Sequence, residues 1–293
     1  MTVLELIERS SARLEASGVS FGHGTTNAFD EAAWLVLWRL GLPLDSLDAH
    51  AARNVSAGEQ AAAEALVQQR ITSRRPAAYL TGEAWLQGVP FFVDERVIVP
   101  RSLIAELIAD GTLEAWLGTG SPRVLDLCTG NGSLAVLAAL AWPEATVTGT
   151  DISAEALAVA RQNVDRHGLA NRITLARGDG WAAVNPAWGG FDLVLCNPPY
   201  VNRAAMAALP AEYRAEPALA LDGNAEGGED GMDFVRRLIA GARPHLNDGG
   251  VLVLEIGHER AHFEAAFPRL PVVWLPTSAG DDQVLLIQKD AWP

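Results

Sequence analysis

The chain has 293 residues, 49% of them hydrophobic and 20% charged, enough for two domains and a core that needs neither disulfides nor metals; disordered and low-complexity classes are excluded. Its formal net charge is −14, which disfavours a protein living by phosphate contacts and favours a basic partner or a neutral small molecule. Lys289 is the only lysine, so a phosphate-loop nucleotidase and a Schiff-base enzyme, each needing a lysine in its site, are also excluded.

From residue 1 to about 82 the pattern is helical, with no strand-like stretch. Thr2 can cap a first helix with an apolar face of Leu4, Ile7 and Leu14. A second helix, from about Phe29 to Leu40, is apolar on nearly all sides and must be buried in a small bundle. A third opens on Ser56-Ala57-Gly58-Glu59, a capping box, and ends before Pro76. Around Trp85 the period changes: two short apolar runs flank Gln87-Gly88 and predict a hairpin, continued by an extended Val97-Ile98-Val99. The domain boundary falls here, giving 1–82 as a helical domain, 83–101 as a hairpin linker and 102–293 as a second domain, whose first helix Ser102 should cap.

Beyond residue 102, short apolar runs alternate with helices. The runs at 124–128, 146–150, 173–175, 192–196 and 251–256 mostly lack polar alternation, as strands covered on both faces do. Helical stretches at 133–142, 153–167 and 231–241 supply crossovers, and runs at 272–275 and 283–288 suit a terminal antiparallel pair. The fold expected is a doubly wound, Rossmann-like α/β domain. Cys128 and Cys196 each end an apolar run and are expected to be buried, reduced thiols. No apolar segment precedes Arg9, and the longest apolar run, Leu134 to Trp142, is far short of the ~20 residues of a membrane span. A cytoplasmic protein without membrane contact is expected.

In such a sheet, ligands bind beyond the carboxyl ends of the strands, where strand order reverses. The first strand of the second domain ends in Asp126-Leu127-Cys128-Thr129-Gly130-Asn131-Gly132-Ser133, where two glycines permit a tight turn and close approach of a ligand. Asp151, 21 residues past Gly130, is placed to accept from ribose hydroxyls, and Asp179 from an adenine amino group. The glycines alone fit a nicotinamide dinucleotide as well as S-adenosylmethionine. Asp126 favours the second: a carboxylate repels a diphosphate and attracts an ammonium and a sulfonium, although it could also serve as a loop anchor.

The fourth strand ends in Asn197-Pro198-Pro199-Tyr200. Methyl transfer to an amide nitrogen needs its delocalised lone pair aimed at the methyl. The Asn197 side-chain oxygen and the Pro198 carbonyl could each accept one N–H, two prolines would fix that geometry, and Tyr200 would wall a planar group.

These two motifs resemble class I methyltransferases acting on planar nitrogens. Arg75–Gly82, Val99-Pro100-Arg101 and Glu216–Gly231 extend the similarity along nearly the whole chain to the HemK-like protein-glutamine methyltransferases. That resemblance implies a seven-stranded, mostly parallel sheet, S-adenosylmethionine as cofactor and a small helical domain that recognises a protein substrate. It implies catalytic roles for Asn197, Pro198, Pro199 and Tyr200. It implies cofactor contacts from Asp126, Cys128, Thr129, Gly130, Asn131, Gly132, Asp151, Asp179, Gly180 and Asn197, and no metal. Of the family's two branches, Val93–Ser102, Cys128 and Gly22–Thr25 resemble the one that modifies the third large-subunit ribosomal protein, before or during subunit assembly, rather than release factors. An acidic enzyme would be steered toward a basic ribosomal protein. Asn131 and Gly180-Trp181 depart from the family pattern, which bears on the adenine contacts. A release-factor enzyme, then a nucleic-acid adenine or guanine methyltransferase, are the alternatives; the second would use a basic patch at Arg70, Arg74 and Arg75.

His258-Glu259-Arg260-Ala261-His262 matches a zinc-protease motif literally, but follows a strand directly and has no third ligand after it. The acidic loop Glu226–Gly231 does not fit a calcium pattern and is expected to be a solvated loop closing over the substrate.

Overall fold

The computed structural model describes residues 1–118 and 120–292. The N-terminal helices are α1 (Val3–Ala16), α2 (Ala28–Arg39), α3 (Leu47–His50), α4 (Ala57–Ser73) and α5 (Ala77–Thr81). Both Thr2 and Ser56 form complete capping boxes, with Glu5 and Glu59 respectively, so α1 and α4 start where their sequences dictate. α1 buries Val3, Leu6, Ile7 and Leu14. α2 buries side chains on most of its circumference and sits between α1 and α4. The core of this region also takes in Val97 and Val99, and Ala156 and Val159 of a helix in the second half of the chain.

The predicted hairpin is β1 (Glu83–Leu86) and β2 (Val89–Phe92), paired antiparallel. Its two-residue loop has φ +50° at Gln87 and +74° at Gly88, the left-handed pair that a tight hairpin turn requires. The extended stretch expected at Val97–Val99 joins no sheet. Side chains take up its backbone instead: the Tyr79 hydroxyl donates to the Val97 carbonyl, and the Val99 N–H donates to Glu216 at 2.8 Å.

α6 (Ile104–Ala109) follows. Ser102 is not its simple cap as expected; the N-cap position is Leu103, and Ser102 Oγ receives the Ile104 N–H only at 3.3 Å. The stronger acceptor is Glu255, which takes both the Ser102 hydroxyl and the Leu103 N–H at 2.9 Å. A carboxylate from 150 residues away thus does a capping job no local pattern reveals.

The remaining elements are β3 (Arg123–Leu127), α7 (Ser133–Ala141), β4 (Thr146–Asp151), α8 (Ala154–Arg166), β5 (Ile173–Arg177), β6 (Phe191–Cys196), α9 (Arg203–Ala208), α10 (Ala211–Arg214), α11 (Asp233–Ala242), β7 (Leu246–Glu255), α12 (Arg260–Ala266), β8 (Val273–Thr277) and β9 (Gly280–Gln288). The sheet order is β5-β4-β3-β6-β7-β9-β8, the first five parallel and the last two antiparallel additions. This is the seven-stranded, mostly parallel, doubly wound sheet expected. Alternate strand residues divide between two cores: Leu193, Leu195, Val251 and Val253 face one side, Val194, Cys196, Leu252 and Leu254 the other. Strand order reverses between β3 and β6, and there Leu127 pairs with Cys196. The next residues in each strand, Cys128 and Asn197, therefore leave the sheet side by side at the switch point.

No helix among the described residues is long and apolar enough to cross a membrane.

Candidate active site

A cavity of about 620 Å³ opens at this switch point. One end is walled by Cys128, Gly130, Asp151, Asp179 and Gly180, with Phe234 and Arg237 of α11; Asn197 and Pro199 stand at the reacting centre. Two strips, Glu95–Ile98 and Pro217–Ala220, also line the cavity. Seven of the site residues expected from sequence are thus in the wall of one cavity: Cys128, Gly130, Asp151, Asp179, Gly180, Asn197 and Pro199.

The glycine turn is built by its own side chains. Gly130 has φ +54°, and its N–H donates to Asp151 Oδ2 at 2.9 Å. Space for a Cβ at Gly130 is open, so the backbone itself is presented to the cavity. Gly132, at φ +81°, would set a Cβ 3.1 Å from that of Ala160, so here glycine serves helix packing. Cys128 also has positive φ, +66°, unusual for a residue with a side chain. Both thiols are free, Cys196 buried and Cys128 half-buried.

Asp126, Thr129, Asn131 and Gly132 stand one layer behind the cavity wall. The Thr129 hydroxyl and the Ala135 N–H both donate to Asp126 Oδ2, the latter at 3.0 Å. Its other oxygen, Oδ1, is buried without a hydrogen bond. Burial raises the Asp126 pKa to about 7, despite those two donors. This arrangement is that of a loop anchor, the other role the sequence allowed. Asn131 accepts the Ser133 N–H at 3.1 Å, and its carbonyl receives Asn163 Nδ2 at 2.9 Å. Asn163 also receives the Phe92 N–H at 2.7 Å and donates to the Phe92 carbonyl at 3.0 Å, so one buried amide ties the hairpin to the glycine turn.

Asp151 takes the Gly130 and Ser153 N–H groups, one on each oxygen, which leaves each a second lone pair. Burial raises its pKa against these bonds. Asp179 is half-exposed and paired with Arg237 at 2.9 Å. Gly180 faces the Phe234 ring, whereas Trp181 turns away: it stacks on His245 at 4.5 Å and donates to the Leu238 carbonyl. Gly180 and Phe234, a residue the sequence pattern offered only as part of a crossover helix, thus stand together in the cavity wall.

At the reacting end, the Asn197 side chain takes no hydrogen bond from the described residues and lines the cavity. Pro198 is buried behind it. Tyr200 is not in the cavity wall as expected. Its ring lies against Gly257, where a Cβ would come within 2.7 Å, and its hydroxyl lies 3.4 Å from Glu255 Oε1. Burial, and then the Glu255 charge, push the Tyr200 pKa upward, so it stays a neutral donor. Two steps on, Asn202 donates to Glu259 at 2.7 Å. The zinc-protease-like segment is thereby accounted for: Glu259 holds Asn202 and His262, and His258 lies exposed in a turn before α12. Among the described residues no cluster of three or more metal-ligating side chains occurs.

The basic patch entertained for a nucleic acid does not form. Arg70 is fully buried between Glu31 and Glu212, Arg74 pairs with Glu212, and Arg75 pairs with Glu95. In the acidic loop, Glu226 lines the cavity and pairs with Arg237, while Asp230 pairs with Arg236.

The donor set fits S-adenosylmethionine: an open glycine backbone, two carboxylates, Asp151 and Asp179, and, among the described residues that line the cavity, no lysine or unpaired arginine for a diphosphate. Fold and site together define a class I S-adenosylmethionine-dependent methyltransferase. Residues 111–218 match the methyltransferase small domain family, and residues 5–82 the PrmC N-terminal domain family. A solved methyltransferase from Pyrococcus furiosus superposes with a TM-score of 0.50 at 21% identity, covering 69% of this chain and 89% of that one. The hMettl16 catalytic domain, solved with a MAT2A 3'UTR hairpin, superposes at 0.52 with 15% identity, covering 80% and 81%. Both likenesses concern the fold alone.

Full-length relatives are more specific. The ribosomal protein uL3 glutamine methyltransferase of Bordetella pertussis is 53% identical over 99% of this chain and 95% of its own length. Those of Bradyrhizobium diazoefficiens and Neisseria gonorrhoeae are 46% and 42% identical, over 98% and 99% of this chain and 90% and 95% of theirs. The chain belongs to the uL3 glutamine methyltransferase family.

Proposed function

We propose that this protein transfers a methyl group from S-adenosylmethionine to the side-chain amide nitrogen of a glutamine in ribosomal protein uL3. The observation that carries this reading is the Leu127–Cys196 pairing, which brings the glycine turn and Asn197 to one cavity.

When bound, the cofactor supplies an electrophilic methyl. Gly130, Asp151, Asp179 and Gly180 would hold it, with Cys128 and Phe234 in the same cavity wall. Asn197 contributes a side-chain oxygen and Pro198 a carbonyl, each accepting one N–H of the substrate amide so that the nitrogen lone pair is aimed at the methyl. The prolines keep this geometry without reorganisation. Positioning and water exclusion of this kind contribute about 7–11 kcal/mol to lowering a barrier; the carbon–sulfur bonding pair would leave with the thioether, and the methylated nitrogen would release one N–H proton to solvent. Tyr200 acts from behind, by fixing the turn through Glu255 and Gly257.

Residues 1–82 would recognise the substrate, 83–101 link, and 102–293 deliver the methyl. The net charge of −14 supports a basic protein target, met in the cytoplasm before or during subunit assembly, with no direct nucleic-acid target. The test is incubation with labelled cofactor and, in separate arms, uL3 from cells lacking the activity, a release factor and ribosomal RNA. Label mapped to a uL3 glutamine supports the reading; label only on the release factor or RNA overturns it.

A further inference from the structure

Two strips of the cavity wall, 95–98 and 217–220, meet at one side chain, that of Glu216. This buried carboxylate accepts the Val99 N–H at 2.8 Å, directly after the first strip, and itself sits directly before the second. Arg101 grips it with both terminal nitrogens, each at 2.7 Å. His23, from the loop between α1 and α2, lies 3.4 Å away, and its ring packs on Tyr213 at 4.3 Å. Gly22 approaches the Tyr213 hydroxyl so closely that a Cβ there would collide. Burial opposes the Glu216 charge, yet Arg101 and His23 outweigh it and hold the pKa down to about 2.

Four residues earlier, Glu212 is equally buried and takes Arg70 of α4 at 3.2 Å and Arg74, the residue that caps α4, at 2.7 Å. The strap that follows Asn197-Pro198-Pro199-Tyr200 therefore hangs from the N-terminal domain by two carboxylates. Among the described residues no hydrogen bond or ion pair joins the glycine turn to this network.

We propose that Glu216, clamped by Arg101, is a positioning and specificity-determining residue: it sets the gap between the two strips and so the fit of the peptide carrying the target glutamine. It does so under control of the N-terminal domain, through His23 and the Glu212 tie. The inference rests on the proposed function, and the domain becomes a strut of the acceptor cleft as well as a recognition module. A bidentate pair of this kind fixes geometry that a neutral or single-point contact cannot.

The experiment measures KM and kcat for the protein substrate, and cofactor Kd by calorimetry, for wild type, Glu216→Gln, Arg101→Lys and Glu212→Gln. Glu216→Gln is expected to raise the protein KM about 10-fold or more, with kcat within about 3-fold and cofactor Kd within about 2-fold. Arg101→Lys should move KM the same way by less, and decides the matter if Glu216→Gln does not fold. A merely structural role would weaken cofactor binding in parallel with KM. That outcome, or an unchanged KM in a folded variant, overturns the clamp. Wild-type enzyme that leaves uL3 unmethylated overturns the proposed function instead, and the clamp is then judged on whichever protein substrate is modified.

Discussion

The hydroxyl of Tyr200 lies 3.4 Å from Oε1 of Glu255, while Oε2 of the same carboxylate holds Ser102 and the start of α6. The end of the catalytic strand is thus braced against the segment that enters the catalytic domain. Tyr200→Phe keeps the ring on Gly257 and removes one long hydrogen bond. It should cost about 1–3 kcal/mol of stability, because the buried Glu255 Oε1 loses a donor, and lower kcat less than about 10-fold. Tyr200→Ala should lower kcat further while cofactor Kd holds. Thermal unfolding and steady-state kinetics read both effects, and a larger kcat loss from Phe than from Ala would refute the brace.

Asp126 gives the fold a pH dependence. Its pKa is raised by burial from 3.8 to about 7, so the folded state binds the proton more tightly than the unfolded chain. The contribution is most favourable below pH 3.8 and is lost as pH rises toward 7, with a slope no steeper than about 1.4 kcal/mol per unit. Asp126→Asn should flatten this decline in denaturant unfolding of the cofactor-free protein. An identical pH profile in the variant would show that Asp126 is not the group responsible.

The two turn glycines should separate. Gly130→Ala meets open space and carries only the left-handed backbone penalty, about 1–2 kcal/mol. Gly132→Ala adds contact with Ala160 at 3.1 Å and with its backbone at 3.3 Å, so it should destabilise more. Yet Gly130→Ala should weaken cofactor binding more for each unit of stability lost, since only Gly130 lines the cavity. Calorimetric Kd beside unfolding free energy tests the contrast.

Glu259 has both oxygens engaged, by Asn202 and by His262. Methyl transfer should therefore be unchanged by a chelator, whereas Glu259→Gln should raise the protein KM by loosening Asn202, the cap of α9. Activity lost to chelator and restored by zinc would contradict this assignment.

The parallel sheet, the hairpin, the Thr2 cap and the Ser56 capping box were legible because each is a local pattern: apolar runs covered on both faces, a Gln-Gly turn, a threonine before an apolar helical face, a serine three residues before a glutamate. The cofactor turn and Asn197 were legible because strand ends in this topology must meet at the switch point. What stayed hidden was long-range. Glu255 caps a helix 150 residues earlier, Asn163 joins Phe92 to Asn131, and Glu216 closes on Arg101 across 115 residues. The sequence offered Arg101 and Glu216 through family resemblance alone, and periodicity carries no sign that they pair. The sequence did not show which way Tyr200 points, or which of the two roles open to Asp126 it takes, for the same reason: a motif gives residue type and place in the chain, while the facing partner decides which way the side chain points.

The most direct measurement is the kinetics of Asn197→Ala on the protein substrate beside calorimetric cofactor binding. If the Asn197 turn holds the amide nitrogen for transfer, kcat should fall about 10²–10³-fold with cofactor Kd barely moved. Equal losses in turnover and cofactor affinity, or a kcat close to wild type, would contradict the account.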